Sequence, residues 1–311
     1  MIAHLKGREK ALEAFGWAGK RAEWIALVCL HSGVFTRDQI SDWLGINRFK
    51  ALRFVQDITA RRLASEDALE SRKVCRISAR SIYRALGAED IRHRRFASTE
   101  VLLRRLLSLD YVIDHTALPW LPTEPEKVAA FEALGIERRI LPVRTYRGRA
   151  DDTRRYFPLK LPVALDAERA VFVYADPGHA TAAGLHSWGR AHRALWDALR
   201  DQGLPVEAVA AVLDGREFER AEKVLANWTE PGLSPGRSKA SVTGRRIRRE
   251  IERIELAIRR TDERVIQTYG SLQGCLERIV ELRAALPTAP SEAMIDGFTV
   301  WRSDRLSGAP C

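Results

Sequence analysis

The sequence predicts an α+β protein with a basic helical N-terminal unit, a central α/β domain with a mixed sheet, and a C-terminal long helix or coiled coil. The first observation is the charge distribution, which sets the N-terminal unit apart as a module that binds a polyanion: residues 1–95 carry 19 lysines and arginines against 11 acidic residues, whereas residues 96–235 carry 18 against 20. The second is a series of short β-rich runs followed by alternating strand and helix patterns. The third is an apolar heptad repeat near the C-terminus.

Composition narrows the class of protein. The 311 residues carry a net charge of +10, which favours an anionic partner. No run approaches the roughly 18 apolar residues of a transmembrane helix, and the N-terminus lacks the apolar core of a signal peptide. Cys29, Cys75, Cys275 and Cys311 form no CxxC pair, which is typical of a reducing compartment. We therefore expect a cytoplasmic protein without membrane contact, and the sequence predicts neither a cofactor nor a metal site.

Three short helical patterns open the N-terminal unit. Thr36 and Gln39 have the spacing of a capping box that starts the second of these helices. Gly45 permits a left-handed turn at the end of that helix. Asn47 is a good N-cap for a third helix, which runs to about Leu63. The second and third helices are therefore expected to meet at a tight corner.

The third helix has two distinct faces. At about 100° per residue its apolar side chains share one broad arc; they are Ala51, Leu52, Phe54, Val55, Ile58 and Leu63. The opposite arc carries mostly basic or amide side chains; it holds Phe49, Lys50, Arg53, Gln56, Asp57 and Arg61. Arg48 is expected to point toward the apolar side. Residues 64–78 then predict a small β-hairpin.

This order of three helices, a glycine turn and a hairpin resembles the winged helix-turn-helix superfamily, with residues 20–92 as the domain and residues 1–19 as an N-terminal arm. The resemblance implies that the third helix enters the major groove of DNA. Asn47, Lys50 and Arg53 are then expected to contact bases. The remaining predicted contacts meet a thymine methyl group or phosphates; they are Thr36, Arg37, Arg48, Phe49, Arg61, Arg62, Arg72, Lys73 and Arg76. Winged helices also mediate protein contacts, and that alternative stays open.

Residues 93–230 predict an α/β domain with a mixed sheet. Asp176 and His179 follow a buried strand, which is where open α/β sheets bind ligands. No catalytic or metal-binding motif surrounds them, so turn and packing roles are favoured.

The order of helix, hairpin and strand-helix-strand also resembles a restriction-endonuclease-like core. Such a core needs an acidic residue two positions before Lys160, where this chain has Pro158. The pattern therefore favours a non-catalytic version of that fold. A metal-dependent nuclease or replication enzyme is the alternative, with Asp151, Asp152, Lys160 and Asp176 as its candidate catalytic residues.

The strand and turn pattern "FPLKLPVAL…AVFVYADPG…LHSW…LW", behind the predicted winged helix, resembles the replication-relaxation type of protein from plasmids and other mobile elements. The similarity covers roughly residues 20–230. It implies an accessory role in the maintenance, transfer or regulation of a mobile element, and it supplies no catalytic residues.

Residues 231–244 are a linker by composition, and residues 245–286 predict a coiled-coil helix. The apolar heptad positions give the expected dimerisation contacts; they are Ile247, Ile251, Ile254, Ile258, Val265, Leu272, Ile279, Leu282 and Leu286. Gly270 and Gly274 lower helix propensity, so a hairpin that folds back, or packing on the α/β domain, is the competing interpretation. Residues 287–311 are expected to be irregular.

These patterns predict a sequence-specific protein that binds double-stranded DNA as a homodimer. Its expected role is transcription regulation, or an accessory role in replication or transfer, for a plasmid or other mobile element. The α/β domain is expected to bind a protein or nucleic-acid partner. Besides the enzyme, the alternative is a scaffold whose winged helix binds protein.

Overall fold

The computed structural model describes residues 2–69, 72–148, 151–178, 181–230, 242–284 and 293–307. Its contacts divide the chain into two compact units, Met1–Thr229 with Met294–Cys311, and Glu230–Ala293. The predicted domain boundary between residues 92 and 93 therefore falls inside the first unit. No helix in the described ranges is both long and apolar enough to cross a membrane.

The N-terminal region of the first unit combines helices with a small antiparallel sheet. Its elements in order are α1 (Gly19–His31), β1 (Val34–Thr36), α2 (Arg37–Leu44), α3 (Arg48–Ala60), β2 (Ala64–Leu69), β3 (Arg72–Ile77) and α4 (Arg80–Ala85). The strands pair in the order β1-β3-β2, and both pairings are antiparallel. β2 and β3 form the hairpin that the sequence predicts over residues 64–78, and its two turn residues lie outside the described part.

The first residues of the chain pack onto this region. Short 3-10 helices at Ala3–Leu5 and Arg8–Phe15 contact α1. Leu5, Leu12 and Trp17 are buried there. The segment predicted as a separate arm is therefore part of the N-terminal core.

The central region contains two helices, a separate hairpin and a strand-helix-strand-helix series. Its elements in order are α5 (Thr99–Asp114), α6 (Glu124–Ala133), β4 (Val143–Tyr146), β5 (Thr153–Tyr156), β6 (Val163–Leu165), β7 (Ala170–Asp176), α7 (Thr181–Asp201), β8 (Val206–Val212) and α8 (Gly215–Thr229). β4 and β5 form a two-stranded antiparallel hairpin. In the main sheet β6 pairs antiparallel with β7, and β7 pairs parallel with β8, so the predicted mixed sheet is confirmed.

The second unit is a helical hairpin, and the predicted single helix over residues 245–286 is wrong. Three helices replace it: α9 (Val242–Arg260), α10 (Glu263–Thr268) and α11 (Leu272–Ala284). The chain turns at Thr261 and at Gly270, whose φ angles are +51° and +81°. The buried core of the hairpin comes from both α9 and α11; it consists of Ile251, Ile254, Cys275, Ile279 and Leu282. The heptad stripe therefore finds a partner within the same chain, as in the fold-back alternative.

The C-terminal tail returns to the first unit and completes its main sheet. The sequence predicts residues 287–311 to be irregular, but β9 (Gly297–Arg302) and α12 (Asp304–Ser307) form there. β9 pairs parallel with β8, which gives the sheet order β6-β7-β8-β9. The short run "GFTVWR" becomes a strand because β8 offers it an open edge, and that edge is distant in sequence.

Helices cover both faces of the main sheet. Alternate residues of a strand point to opposite faces, so Phe172 and Tyr174 share one face of β7, where they contact α7. On the other face, Trp301 of β9 packs edge-to-face on Tyr111 of α5, with ring centres 5.3 Å apart. α5 also contacts α1 and β1. This central position explains why nearly every side of α5 is buried.

A buried carboxylate on α5 connects the two ends of the first unit. Asp110 accepts hydrogen bonds from Gln39 of α2 at 3.2 Å and from Arg305 of α12 at 3.2 Å. It also accepts from the Ser303 hydroxyl. Burial raises the pKa of Asp110, while the Ser303 hydrogen bond and the Arg305 charge oppose that shift.

Arg305 extends the same connection with two further ion pairs. Its guanidinium donates to Asp114 at 2.8 Å and to Asp42 of α2 at 2.7 Å. Burial alone lowers the pKa of Arg305, but Asp114, Asp110 and Asp42 together raise it. The C-terminal segment is thereby fastened to both α5 and α2.

We expect Arg305→Ala to lower the free energy of unfolding by about 3 kcal/mol, because the buried Asp110 carboxylate loses its cation. Arg302→Ala is the matched control, since the Arg302 side chain is exposed and its pair with Asp304 spans 3.8 Å. Surface pairs of that kind contribute at most about 1 kcal/mol. Urea denaturation of both variants measures the difference. Wild-type stability in Arg305→Ala would show that this connection does not stabilise the unit.

Candidate nucleic-acid interface

Local interactions that the sequence predicts build the corner between α2 and α3. The Thr36 hydroxyl accepts from the amide of Gln39 at 3.2 Å, and the Gln39 side chain accepts from the amide of Thr36 at 3.0 Å. This capping box starts α2, and Gly45 ends that helix with a φ of +63°. The Asn47 side chain accepts from the amide of Lys50 at 3.0 Å and caps α3. These caps fix where α3 begins.

The outer face of α3 presents two exposed cations and an exposed aromatic ring. Lys50 and Arg53 lie on this face, and the Arg53 guanidinium is 5.1 Å from the centre of the Phe49 ring. The Phe49 side chain is 62% exposed. Most of the apolar residues predicted for the opposite face are buried, namely Ala51, Phe54, Val55 and Ile58. The face that the sequence predicts to be exposed is therefore exposed.

Arg37 and Arg48, which begin α2 and α3, have acidic partners. Arg48 points outward and pairs with Asp38 at 3.0 Å, so its predicted direction toward the apolar side is wrong. The cause is that Asp38 in the first turn of α2 attracts the guanidinium across the corner. Arg37 donates to Glu66 of β2 at 2.5 Å.

Thr36 and Arg61 are occupied by structural contacts. Thr36 is buried, and its hydroxyl serves the cap. The Arg61 guanidinium lies 5.2 Å from the Trp17 ring centre and donates to the carbonyl of Phe15. Both residues therefore stabilise the N-terminal core.

The basic residues of the β2-β3 hairpin also include both paired and unpaired side chains. Arg76 donates to Asp67 at 2.8 Å, and Arg72 donates to the carbonyl of Leu306. Lys73 is exposed on β3. The cations of this region that form no ion pair in the described part of the chain are Lys50, Arg53, Arg62 and Lys73. All four are exposed, so their charge is available to an external anion.

The structure gives the candidate catalytic residues different environments. Asp151 and Asp152 are exposed at the start of β5. Asp176 is buried at the end of β7, and no hydrogen bond or ion pair joins it to the other candidates among the described residues. Within the same residues, no group of three His, Cys, Asp or Glu side chains is arranged to hold a metal ion. His179 lies outside the described part.

A second acidic residue near Asp176 has no sequence motif that would reveal it. The Asp176 carboxylate accepts from the amide of Gly178 at 2.8 Å, and its other oxygen has no partner among the described atoms. Glu217 of α8 is buried close to Gly178. Hydrogen bonding with Asp214 raises the pKa of Glu217 and lowers the pKa of Asp214. Two acidic residues, Asp214 and Glu217, therefore lie beyond the end of β8, and the amide of Glu217 donates to Asp214 at 3.0 Å.

Lys160 lies in a basic cavity whose arginines the sequence pattern does not reveal. Arg92, Arg95, Arg105 and Arg155 line that cavity with it. Two of these arginines, Arg92 and Arg95, belong to the run "RHRR" (92–95), which spans the predicted boundary between the winged helix and the α/β domain. Nothing in the sequence indicates that they meet Lys160, because the segments are more than 50 residues apart.

Lys127 of α6 is a buried lysine that contacts the segment between β5 and β6. Its ammonium donates to the carbonyl of Leu161 at 2.6 Å and lies 5.6 Å from the Phe157 ring centre. Burial lowers the pKa of Lys127 to about 7, although Glu124 and Glu126 oppose that shift. Lys127 is therefore neutral in part of the physiological pH range.

No protein-family model, curated protein or solved structure matches the chain. Its function therefore has to be inferred from its own residues.

The buried Lys127 predicts a pH-dependent stability. Its folded-state pKa of about 7 lies below the ordinary value of 10.5, so between these values the unfolded chain binds more protons and stability rises with pH. Between pH 6.5 and 9 we expect wild type to gain about 2 kcal/mol relative to Lys127→Met. Denaturation of both proteins at each pH isolates the contribution of Lys127. An unchanged difference would contradict the depressed pKa.

Proposed function

We propose that this chain binds double-stranded DNA through a winged helix-turn-helix formed by α1 to β3, with α3 in the major groove. The observation that carries the proposal is the exposed outer face of α3, where Lys50 and Arg53 have no acidic partner in the described ranges. The element order, the capped corner and the β2-β3 hairpin support it. A helix that begins at a tight corner and presents cations outward is suited to the major groove.

The unpaired and paired cations suggest different roles. Lys50 and Arg53 are suited to contact guanine, and Phe49 is suited to meet a thymine methyl group. Arg62 and Lys73 are suited to phosphates. Four arginines with partners in the chain are weaker candidates, because a phosphate has to compete with an existing contact; they are Arg37, Arg48, Arg72 and Arg76. Thr36 and Arg61 are omitted from the proposed contacts.

We further propose that the chain is a homodimer through its helical hairpin. Among the predicted dimerisation residues, Ile251, Ile254, Ile279 and Leu282 are buried inside the hairpin, and Ile258 and Val265 are half-buried. The side chain of Ile247 and the whole of Leu286 lie outside the described residues. The remaining position, Leu272, begins an exposed apolar stripe.

This stripe consists of Leu272, Leu276 and Val280, which are spaced four residues apart on α11 and are 45–67% exposed. Residues at that spacing share one helix face. An apolar face of this kind is suited to pack against the same face of a second hairpin, which gives a four-helix bundle. The proposed interface therefore differs from the predicted coiled coil, because the heptad core is already used inside the chain.

The biological setting follows from the sequence resemblance. A dimeric DNA-binding protein that resembles replication-relaxation proteins fits a cytoplasmic transcription regulator, or a replication or transfer accessory factor, of a mobile element. The central region is then a site for a protein or nucleic-acid partner. No observation favours the metal-dependent nuclease: Asp151 and Asp152 are exposed, and the described residues hold no metal-binding group.

The DNA proposal is tested by selecting a duplex from a random library and measuring its affinity for matched variants. Lys50→Ala/Arg53→Ala is expected to weaken binding at least tenfold, since each base contact contributes about 1–3 kcal/mol. Arg190→Ala/Lys223→Ala removes the same charge from exposed positions on α7 and α8 and is the control. If both double variants lose the same affinity, the loss comes from net charge and not from base contacts. Failure to select any motif would contradict specific binding.

The dimer proposal is tested by sedimentation velocity at micromolar concentration. Leu276→Glu/Val280→Glu is expected to convert a dimer to a monomer, because it places two charges in the apolar stripe. Gln267→Glu adds a charge to an exposed position of α10 and is expected to stay dimeric. Circular dichroism checks that the helices remain folded. A wild-type monomer, or a dimer that survives the double change, would rule out this interface.

A further inference from the structure

A basic cavity in the first unit has no role in the DNA proposal. Its volume is about 310 Å³, at the lower end of the roughly 300–1,000 Å³ typical of small-ligand sites. Its walls come from residues 90–96, α5, the start of α6, β4, β5 and the turn that precedes β6. Five cations line it, and we call it the arginine cavity; they are Arg92, Arg95, Arg105, Arg155 and Lys160. Two neighbouring cavities, of about 310 and 130 Å³, share some of these cations.

The positive charge of the arginine cavity is only partly compensated. Asp90 and Glu124 are its acidic lining residues. Glu124 is 3.7 Å from Arg155, but it also accepts from the amide of Tyr156 at 2.8 Å. The Nε atom of Arg155 is buried and has no partner among the described atoms.

Unlike Arg155, the other cations of the cavity have no acidic partner among the described residues. Arg105 donates to the carbonyl of His93 at 3.0 Å. Arg92, Arg95 and Lys160 form no ion pair in the part of the chain that the structure describes. Crowded cations of this kind repel one another, and an anion in the cavity relieves that repulsion.

The backbone that holds Lys160 in the cavity adopts an unfavourable left-handed conformation. Phe157 and Lys160 have φ angles of +48° and +56°, and the amide of Lys160 donates to the carbonyl of Phe157 at 2.8 Å. Non-glycine residues in this region cluster at binding sites, where the surrounding structure holds them. Partial desolvation by the cavity walls and the neighbouring Arg105, Arg92 and Arg155 lower the pKa of Lys160 to about 8, while Glu124 opposes that shift.

Two aromatic rings stand beside the cations. Phe96 and Tyr146 line the arginine cavity, and both are exposed, Phe96 by 76%. A flat exposed ring beside an anion site offers a stacking surface for a nucleobase. A bare inorganic anion would use the arginines but not the aromatic faces.

We propose that the arginine cavity binds a nucleoside phosphate, with the phosphate among Arg92, Arg95, Arg155 and Lys160 and the base against Phe96 or Tyr146. Arginine forks match phosphate oxygens, and Lys160 supplies a further donor. Two kinds of ligand carry a nucleoside phosphate: a free nucleotide and the phosphorylated end of a DNA strand. The proposal does not rest on base contacts by α3, because none of these residues belongs to that helix.

Calorimetric titration of the full chain with AMP, adenosine and inorganic phosphate tests the site. AMP is expected to bind and adenosine is not, and AMP is expected to bind more tightly than phosphate. Arg92→Gln/Lys160→Asn should weaken AMP at least tenfold; asparagine tolerates the left-handed backbone of residue 160. Arg190→Gln/Lys223→Asn is the control with the same charge change. Absence of AMP binding at millimolar concentration, or equal affinity in both double variants, would overturn the site.

Three further measurements sharpen the result. Phe96→Leu/Tyr146→Leu should remove the preference for AMP over phosphate, and a preserved preference would overturn the stacking role.

AMP binding should weaken from pH 7 to pH 9, because Lys160 loses its charge in that range while the cavity arginines keep theirs. Lys50→Ala/Arg53→Ala should keep the AMP affinity, which separates this site from the α3 face.

Paired DNA trinucleotides, with and without a 5′-phosphate, distinguish the two sources. A phosphorylated trinucleotide that binds at least tenfold tighter than AMP identifies a strand end as the ligand. Affinity equal to that of AMP, or lower, identifies a free nucleotide. Equal binding of the phosphorylated and unphosphorylated trinucleotides would overturn a phosphate-directed site.

Discussion

The buried carboxylate of Asp110 determines how the first unit is assembled. A carboxylate away from water is tolerated only when hydrogen bonds and a cation satisfy it, and here Gln39, Ser303 and Arg305 do so. These partners come from α2 and from the C-terminal segment, more than 250 residues apart in sequence. One charge therefore requires the start of the chain and its end to meet on α5. The N-terminal helices and the mixed sheet belong to one compact unit, and one apolar core spans both.

This assembly explains why basic composition alone is a poor guide to a polyanion surface. Several of the basic residues near α3 and the hairpin are used inside the chain: Asp38, Glu66 and Asp67 hold three arginines at 2.5–3.0 Å, and backbone carbonyls accept hydrogen bonds from two more. What remains for an external partner is a short set of exposed cations around α3. Their position matters more for binding than their number, since cations on an exposed helix face can enter a DNA groove.

The two proposed anion sites differ in the way in which the chain builds them. The face of α3 comes from one helix, so its residues are close in sequence and their spacing is visible as a pattern. The arginine cavity instead gathers Arg92, Arg105, Arg155 and Lys160 from four segments. The left-handed backbone at Lys160 holds one of these cations among the others. A site of this second kind has no periodicity and no motif.

The sequence by itself determined the local structure of the N-terminal region and the class of the central sheet. Capping at Thr36 and Asn47, the turn at Gly45 and the buried arc of α3 depend on neighbours within a few residues, so a pattern reveals them. Only the tertiary structure decided the hairpin of α9 and α11, the conversion of the tail into β9, and the joining of the predicted domains through α5. The physical reason is that an apolar stripe or a charged side chain specifies the need for a partner. Which partner it meets depends on the path of the whole chain.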